Sequence, residues 1–147
     1  MSPEGLALIG PLALRALMTA NWSIDAIGGL TLGADPVSYA IAYASALAGT
    51  PLRAFTVRKE AKVHGTGRLI EGPFRKGDRV AVVEDVITTG GSALRAVEAI
   101  RAGGGVVAGV LALVDRQEGG REALEDAGLS VLVLTRASDI VARLPLS

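Results

Sequence analysis

Along this chain, apolar positions spaced three and four apart alternate with short unbroken apolar blocks, the pattern of helices alternating with buried strands. Ser2-Pro3-Glu4 predicts a helix start, with Ser as N-cap, Pro at the first helical position and Glu in the first turn, and apolar residues recur from there to Leu17. Ile24-Asp25-Ala26-Ile27 reads as a short buried strand that ends at Gly28-Gly29. Asp35-Pro36 opens a second helix over residues 37–47, closed by Gly49 and Pro51, and residues 52–57 form the next strand. Residues 58–78 follow neither period and are rich in glycine, so they are expected to be a long mobile loop of the kind that serves as a lid or binding loop. Arg79-Val80-Ala81-Val82-Val83 is apolar on both faces, as a central parallel strand must be. A helix over 91–102, a strand over 106–114, a helix over 121–127, a strand over 131–134 and a helix over 138–144 complete the pattern. Strands and helices in alternation predict a doubly wound parallel α/β sheet flanked by helices, in one domain spanning 1–147.

Composition supports a globular domain, with half of the residues apolar and charged residues of both signs in equal number. No apolar run is long enough to cross a bilayer, and no secretory signal is read at Met1-Ser2-Pro3-Glu4, so a cytoplasmic protein without membrane association is expected. The absence of cysteine excludes disulfides and thiolate metal sites. A net charge of zero argues against nucleic-acid binding. The charge is nevertheless uneven. Arg53, Arg58, Lys59, Lys62, Arg68, Arg75, Lys76 and Arg79 face only Glu60, Glu71 and Asp78 in the same stretch, which suits a small anionic ligand better than a long polyanion.

The strongest local signal is the strand ending at Val83 followed by Glu84-Asp85, then Thr88-Thr89-Gly90-Gly91-Ser92 and a helix. Ligands of open α/β sheets lie beyond the carboxyl ends of strands, where this turn sits. Small residues let amides approach an anion, Thr and Ser add hydroxyl donors, and the helix dipole favours negative charge. Two carboxylates beside that site would repel a phosphate unless they face sugar hydroxyls or a metal. The combination describes a ribose phosphate. Each part alone is also what a capped turn or a solvated strand end shows. The turn is not a Walker A loop, lacking Gly-Lys-Ser/Thr after four spacers, and a phosphoacceptor receiver has no use for Thr-Thr-Gly-Gly-Ser. A second cluster, Arg58-Lys59-Glu60-Ala61-Lys62-Val63-His64-Gly65, places three cations and the only histidine in a glycine-flanked stretch suited to covering a diphosphate.

The run Val82-Val83-Glu84-Asp85-Val86-Ile87-Thr88-Thr89-Gly90-Gly91-Ser92 resembles the 5-phosphoribosyl-1-diphosphate (PRPP) signature of type I phosphoribosyltransferases. The run from Arg58 to Gly65 is similar to the mobile loop of the orotate phosphoribosyltransferases within that family. Gly28-Gly29-Leu30-Thr31-Leu32-Gly33-Ala34-Asp35-Pro36 resembles the family's pyrophosphate-side loop, with Leu32 near the place where some relatives carry a lysine. Val114-Asp115-Arg116-Gln117-Glu118-Gly119-Gly120 resembles its base-binding segment, and residues 119–140 its closing elements.

The resemblance implies transfer of ribose 5-phosphate from PRPP to orotate, giving orotidine 5-monophosphate and pyrophosphate in pyrimidine synthesis. It implies Mg²⁺ held mainly through PRPP, and a homodimer in which loop 58–78 acts across the interface. PRPP contacts are expected from Arg58, Lys59, Lys62, His64, Glu84, Asp85, Val86, Ile87, Thr88, Thr89, Gly90, Gly91 and Ser92. Lys62, His64 and Asp85 are expected to be catalytic, and Thr88 and Arg116 to touch orotate. The segment that carries part of the base-binding hood in that family has no counterpart before Met1, so an incomplete hood is expected. A PRPP- or nucleotide-binding regulator or inactive fragment of this fold, or an enzyme for another base, therefore stands beside the orotate reading.

Overall fold

In a computed structural model of the chain, which describes residues 1–60 and 69–143, a six-stranded sheet runs in the order β3-β2-β1-β4-β5-β6. The elements are α1 (Pro3–Thr19), β1 (Ala26–Leu30), α2 (Ala34–Leu47), β2 (Arg53–Val57), β3 (Ile70–Glu71), β4 (Arg79–Ile87), α3 (Gly91–Ala102), β5 (Val106–Asp115), α4 (Gly120–Asp126), β6 (Val131–Arg136) and α5 (Ala137–Val141). All neighbours pair in parallel except the edge strand β3, which is antiparallel to β2. Among the described residues, no helix is long and apolar enough to cross a membrane.

Strand alternation divides the core in two. Ile27, Ala81, Val83 and Leu111 pack with α1 and α2 on one face, while Ala26, Val80, Val82, Val110 and Ala112 pack with α3 and Leu124 of α4 on the other. The sheet is thus doubly wound. α1 starts as expected, the Ser2 hydroxyl accepting the Gly5 N–H at 3.1 Å with Pro3 in the first turn. The helix continues through Pro11 to Thr19, and Gly10 lets it lie against the Ala40 carbonyl of α2.

Three of the changed boundaries bear on the site. The first strand lies at Ala26–Leu30, so Gly28 and Gly29 are inside it and do not end it. Neither position has room for a side chain, since a Cβ on Gly28 would meet the Phe55 carbonyl and one on Gly29 the Val83 carbonyl. α2 begins at Ala34, before the Asp-Pro pair, with Asp35 in its first turn. β4 runs on to Ile87, so Glu84 and Asp85 belong to the strand. Its outer part is held by pairing with β5 as far as Ile87↔Asp115, which local sequence does not announce.

The expected loop 58–78 also contains β3, a two-residue strand too short to show a period. Thr56 pairs with Glu71 and Val57 with Ile70, and the Arg58 N–H donates to the Leu69 carbonyl at 2.7 Å. From β3 the chain returns along the sheet, with the Phe74 ring 5.3 Å from that of Phe55. The Arg53 guanidinium anchors this return, donating to the Asp78 carboxylate at 2.7 and 2.9 Å and to the Pro73 carbonyl at 2.8 Å.

Burial raises the Asp78 carboxyl, but Arg53 and the Arg75 amide outweigh it and hold it below the usual carboxylate range. Replacing Arg53 by Met should therefore lower unfolding stability by about 2 kcal/mol, less than for a fully buried pair because the guanidinium edge reaches water. Urea denaturation at neutral pH measures this. Because the native pKa of Asp78 is depressed, its contribution is complete above the ordinary carboxylate pKa and disappears as pH falls through the lowered one. The difference between the two proteins should shrink accordingly below about pH 4.

Candidate functional site

The sheet order reverses direction between β1 and β4, both central strands. They pair at Ala26↔Val80, Ile27↔Ala81 and Gly28↔Val82, and the residues beyond lead into the β1–α2 and β4–α3 connections. A crevice at the carboxyl ends of two strands on either side of such a reversal is where open α/β sheets bind ligands. Here it brings together Thr31 to Gly33 and Glu84 to Ser92, distant in sequence.

The β4–α3 turn is shaped to expose amides. Gly90 is the N-cap of α3 at φ +83°, a left-handed conformation that glycine adopts without strain, and no side chain caps the helix. Thr89 and Gly91 are exposed, and Thr88 and Ser92 half-buried. The underside of the turn rests on Gly120, where a Cβ would strike the Thr88 carbonyl. The Arg116 N–H donates to the Ile87 carbonyl at 3.0 Å, so the ends of β4 and β5 are tied directly beneath the turn.

Glu84 and Asp85 take opposite sides of β4. Glu84 is 7% exposed on the α3 face, and Asp85 is half-buried towards the start of α2, accepting the Val86 N–H at 2.9 Å. Burial, then the hydrogen bond and charge of Asp85, push the Glu84 carboxyl up to about 8, with Arg95 of α3 pulling weakly the other way. Glu84 is therefore largely protonated at neutral pH. It can then both donate and accept a hydrogen bond, which suits hydroxyls.

On the other wall, Asp35 of α2 accepts the Thr31 hydroxyl at 2.7 Å and the Thr56 hydroxyl at 2.8 Å, and the Tyr39 hydroxyl lies 3.0 Å from that of Thr56. This network braces the β1–α2 loop against β2. Thr31, Thr56, Arg58, Lys59, Glu60 and Glu71 line a cavity of about 570 Å³. A smaller one of about 300 Å³ runs from Arg58 and Lys59 to Arg95 and Glu98. Arg58 lies 3.4 Å from Glu71.

The structure thus gathers Glu84, Asp85, Val86, Ile87, Thr88, Thr89, Gly90, Gly91 and Ser92 at one strand end. Arg58 and Lys59 stand at the mouth of the adjacent β2. Lys62 and His64 lie outside the described residues. The Arg116 backbone is fastened to the site, while its side chain is paired with Glu118 at 2.7 Å on the surface. Sequence reasoning placed Thr31 and Asp35 in the pyrophosphate-side run without a role for their side chains, and it did not single out Thr56, which their network joins to them, or Arg95. The available signal for Arg95 was its place three residues after Ser92 on the same helix.

The phosphoribosyl transferase domain model matches residues 2–132. The chain is 50% identical over 139 residues to the orotate phosphoribosyltransferase of Aquifex aeolicus, covering 95% of this chain and 75% of that protein. It resembles the crystal structure of Mycobacterium tuberculosis orotate phosphoribosyltransferase in complex with inorganic phosphate, with TM-score 0.86 and 45% identity over 96% of this chain and 75% of that one. For the same enzyme in complex with PRPP, the TM-score is 0.78 and the identity 46%, over 92% and 75%.

The raised pKa of Glu84 sets a stability trend for the ligand-free protein. The folded form holds a proton that the unfolded chain releases near pH 4.5, so stability must fall as pH rises from there through about 8. Thermal unfolding across this range should show that decline, and Glu84→Gln should remove most of it. A Gln variant with the full decline would place the titrating group elsewhere.

Proposed function

The chain belongs to the phosphoribosyl transferase family, and from that premise we propose that it is an orotate phosphoribosyltransferase, a pentosyltransferase of pyrimidine biosynthesis. It moves ribose 5-phosphate from PRPP to orotate, releasing pyrophosphate. One observation carries the reading. The Glu84 to Ser92 run places two carboxyl groups ahead of an uncapped helix start, in a chain half identical to the orotate phosphoribosyltransferase of Aquifex aeolicus along nearly its whole length.

In this reading the α3 amides and the hydroxyls of Thr88, Thr89 and Ser92 receive the 5-phosphate, where the helix dipole favours it. Glu84 and Asp85 face the ribose 2- and 3-hydroxyls. The bond from the anomeric carbon to diphosphate breaks and its electron pair leaves with pyrophosphate, while a ring nitrogen of orotate bonds to that carbon and gives up its proton to the departing pyrophosphate or to water. No protein nucleophile takes part. The protein aligns the partners and stabilises the departing charge. Arg58, Lys59, Lys62 and His64 supply that stabilisation, with Lys62 and His64 acting on the leaving group. Their stretch belongs to the connection between β2 and β3, whose closing excludes water.

Arg116 is assigned to the orotate carboxylate, with Thr88 on the base side. Its present partner Glu118 offers the same chemical group, and the 55% exposure of the Arg116 side chain leaves it accessible to exchange one carboxylate for the other. Mg²⁺ fits the donor chemistry as a cation carried on PRPP, beside hydroxyls that the Glu84 and Asp85 carboxyls order. When bound, it neutralises charge on the diphosphate. The working form is a homodimer in the cytoplasm, with the connection between β2 and β3 acting across the interface.

Incubation with PRPP, Mg²⁺ and orotate should consume orotate absorbance and release pyrophosphate in equal amounts. PRPP binding without turnover would instead assign the chain to a binding role. Lys62→Ala should lower kcat by roughly 10²-fold, the cost of losing one charge-stabilising group, while PRPP affinity changes little. Equal losses in both would contradict action on the leaving group.

A further inference from the structure

Gly33 is the N-cap of α2, with φ −57° and ψ −44°, an ordinary right-handed conformation open to any residue. Backbone geometry therefore does not require glycine there. Space does. A Cβ at this position would lie 2.7 Å from Asp85 Oδ1 and 2.8 Å from both Cγ and Oδ2, far inside normal contact distance. The bare Cα of the β1–α2 loop is thus the surface against which the Asp85 carboxylate rests.

What would yield to a larger residue follows from what holds each side. The loop is pinned two residues either way, because the Thr31 hydroxyl donates to Asp35, which is in turn bonded to Thr56 of β2. Asp85 is a short side chain whose carboxylate accepts the Val86 N–H at 2.9 Å, and a χ1 rotation releases it. The carboxylate is the part that moves. Gly29 differs, since a Cβ there meets the Val83 backbone carbonyl and would disturb the sheet itself.

We propose that Gly33 is a positioning residue for the transfer reaction: its missing side chain sets the orientation in which Asp85 meets the ribose hydroxyls of PRPP. The assignment rests on the reading of Asp85 as a ribose contact. It makes the pyrophosphate-side loop and the ribose-side strand one unit, so that either is correctly placed only when the other is. Gly33 touches no substrate in this role.

A double-mutant cycle separates this from a merely structural role. PRPP with Mg²⁺ is titrated calorimetrically into the unaltered chain, Gly33→Ala, Asp85→Ala and the double variant, the alanine at 85 having no atom in place of the carboxyl carbon and oxygens that the added methyl group would meet. Gly33→Ala should weaken PRPP binding about tenfold in the native background and less than about twofold beside Asp85→Ala. Equal weakening in both backgrounds, or none in the native one, overturns the assignment. Should Gly33→Ala alone fail to fold, recovery of folding in the Asp85→Ala background supports it, and an unfolded double variant overturns it. Absence of PRPP binding by the unaltered chain overturns the functional reading and this assignment together, whereas binding without coupling removes the assignment alone.

Discussion

The close approach of β1 and β4 is the constraint on which the rest of the structure depends. A side chain has no room where a neighbouring carbonyl or ring occupies the Cβ position, as Val83 of β4 does at Gly29 and Phe55 of β2 does at Gly28. Because the two strands are central, their carboxyl ends define the crevice. The order of the sheet reverses there, so the connections leaving β1 and β4 travel to opposite faces and leave a gap between them. Every group assigned to PRPP within the described residues lies on the rim of that gap or just past the end of β2 beside it.

The electrostatics of the rim follow from this placement. Two adjacent carboxyls at the end of a buried strand cannot both ionise cheaply, and the more buried of them, Glu84, keeps its proton to about pH 8. Proton retention costs the folded protein stability at neutral pH, where the unfolded chain would release the proton, and it leaves Glu84 able to donate as well as accept. The cationic residues, by contrast, are concentrated around β2 and the segment after it. Glu84 and Asp85 are therefore separated by structure from Arg58 and Lys59, although the chain as a whole carries no net charge. A ligand with hydroxyls at its centre and phosphates at both ends matches that arrangement. Arg116 stands apart, its backbone locked to Ile87 and its side chain paired with Glu118.

Much of the fold was legible because each helix and long strand carries its own period. The start of α1 followed from Ser2 and Pro3, α3 from the glycines before it, and β4 from a run apolar on both faces. Boundaries that depend on a partner were not legible. Gly28-Gly29 looks like a strand end by propensity, yet pairing on both sides makes it strand interior. β3 is too short to show a pattern and exists through β2. The extension of β4 past the acids requires β5.

The sequence by itself determined the fold class, the Glu84 to Ser92 turn and the cationic stretch, since all three are local: periodicity, composition and the order of neighbouring residues. Only the tertiary structure decided what those pieces face. Asp35 reads locally as a helix start, and becomes the brace between Thr31 and Thr56 when α2 docks on the sheet. Gly33 reads as a loop glycine, and its contact with Asp85 arises 52 positions away in the chain. The physical reason is that steric room and carboxyl ionisation belong to pairs of groups at close range in space. Sequence order carries no record of that distance until β1 and β4 lie side by side.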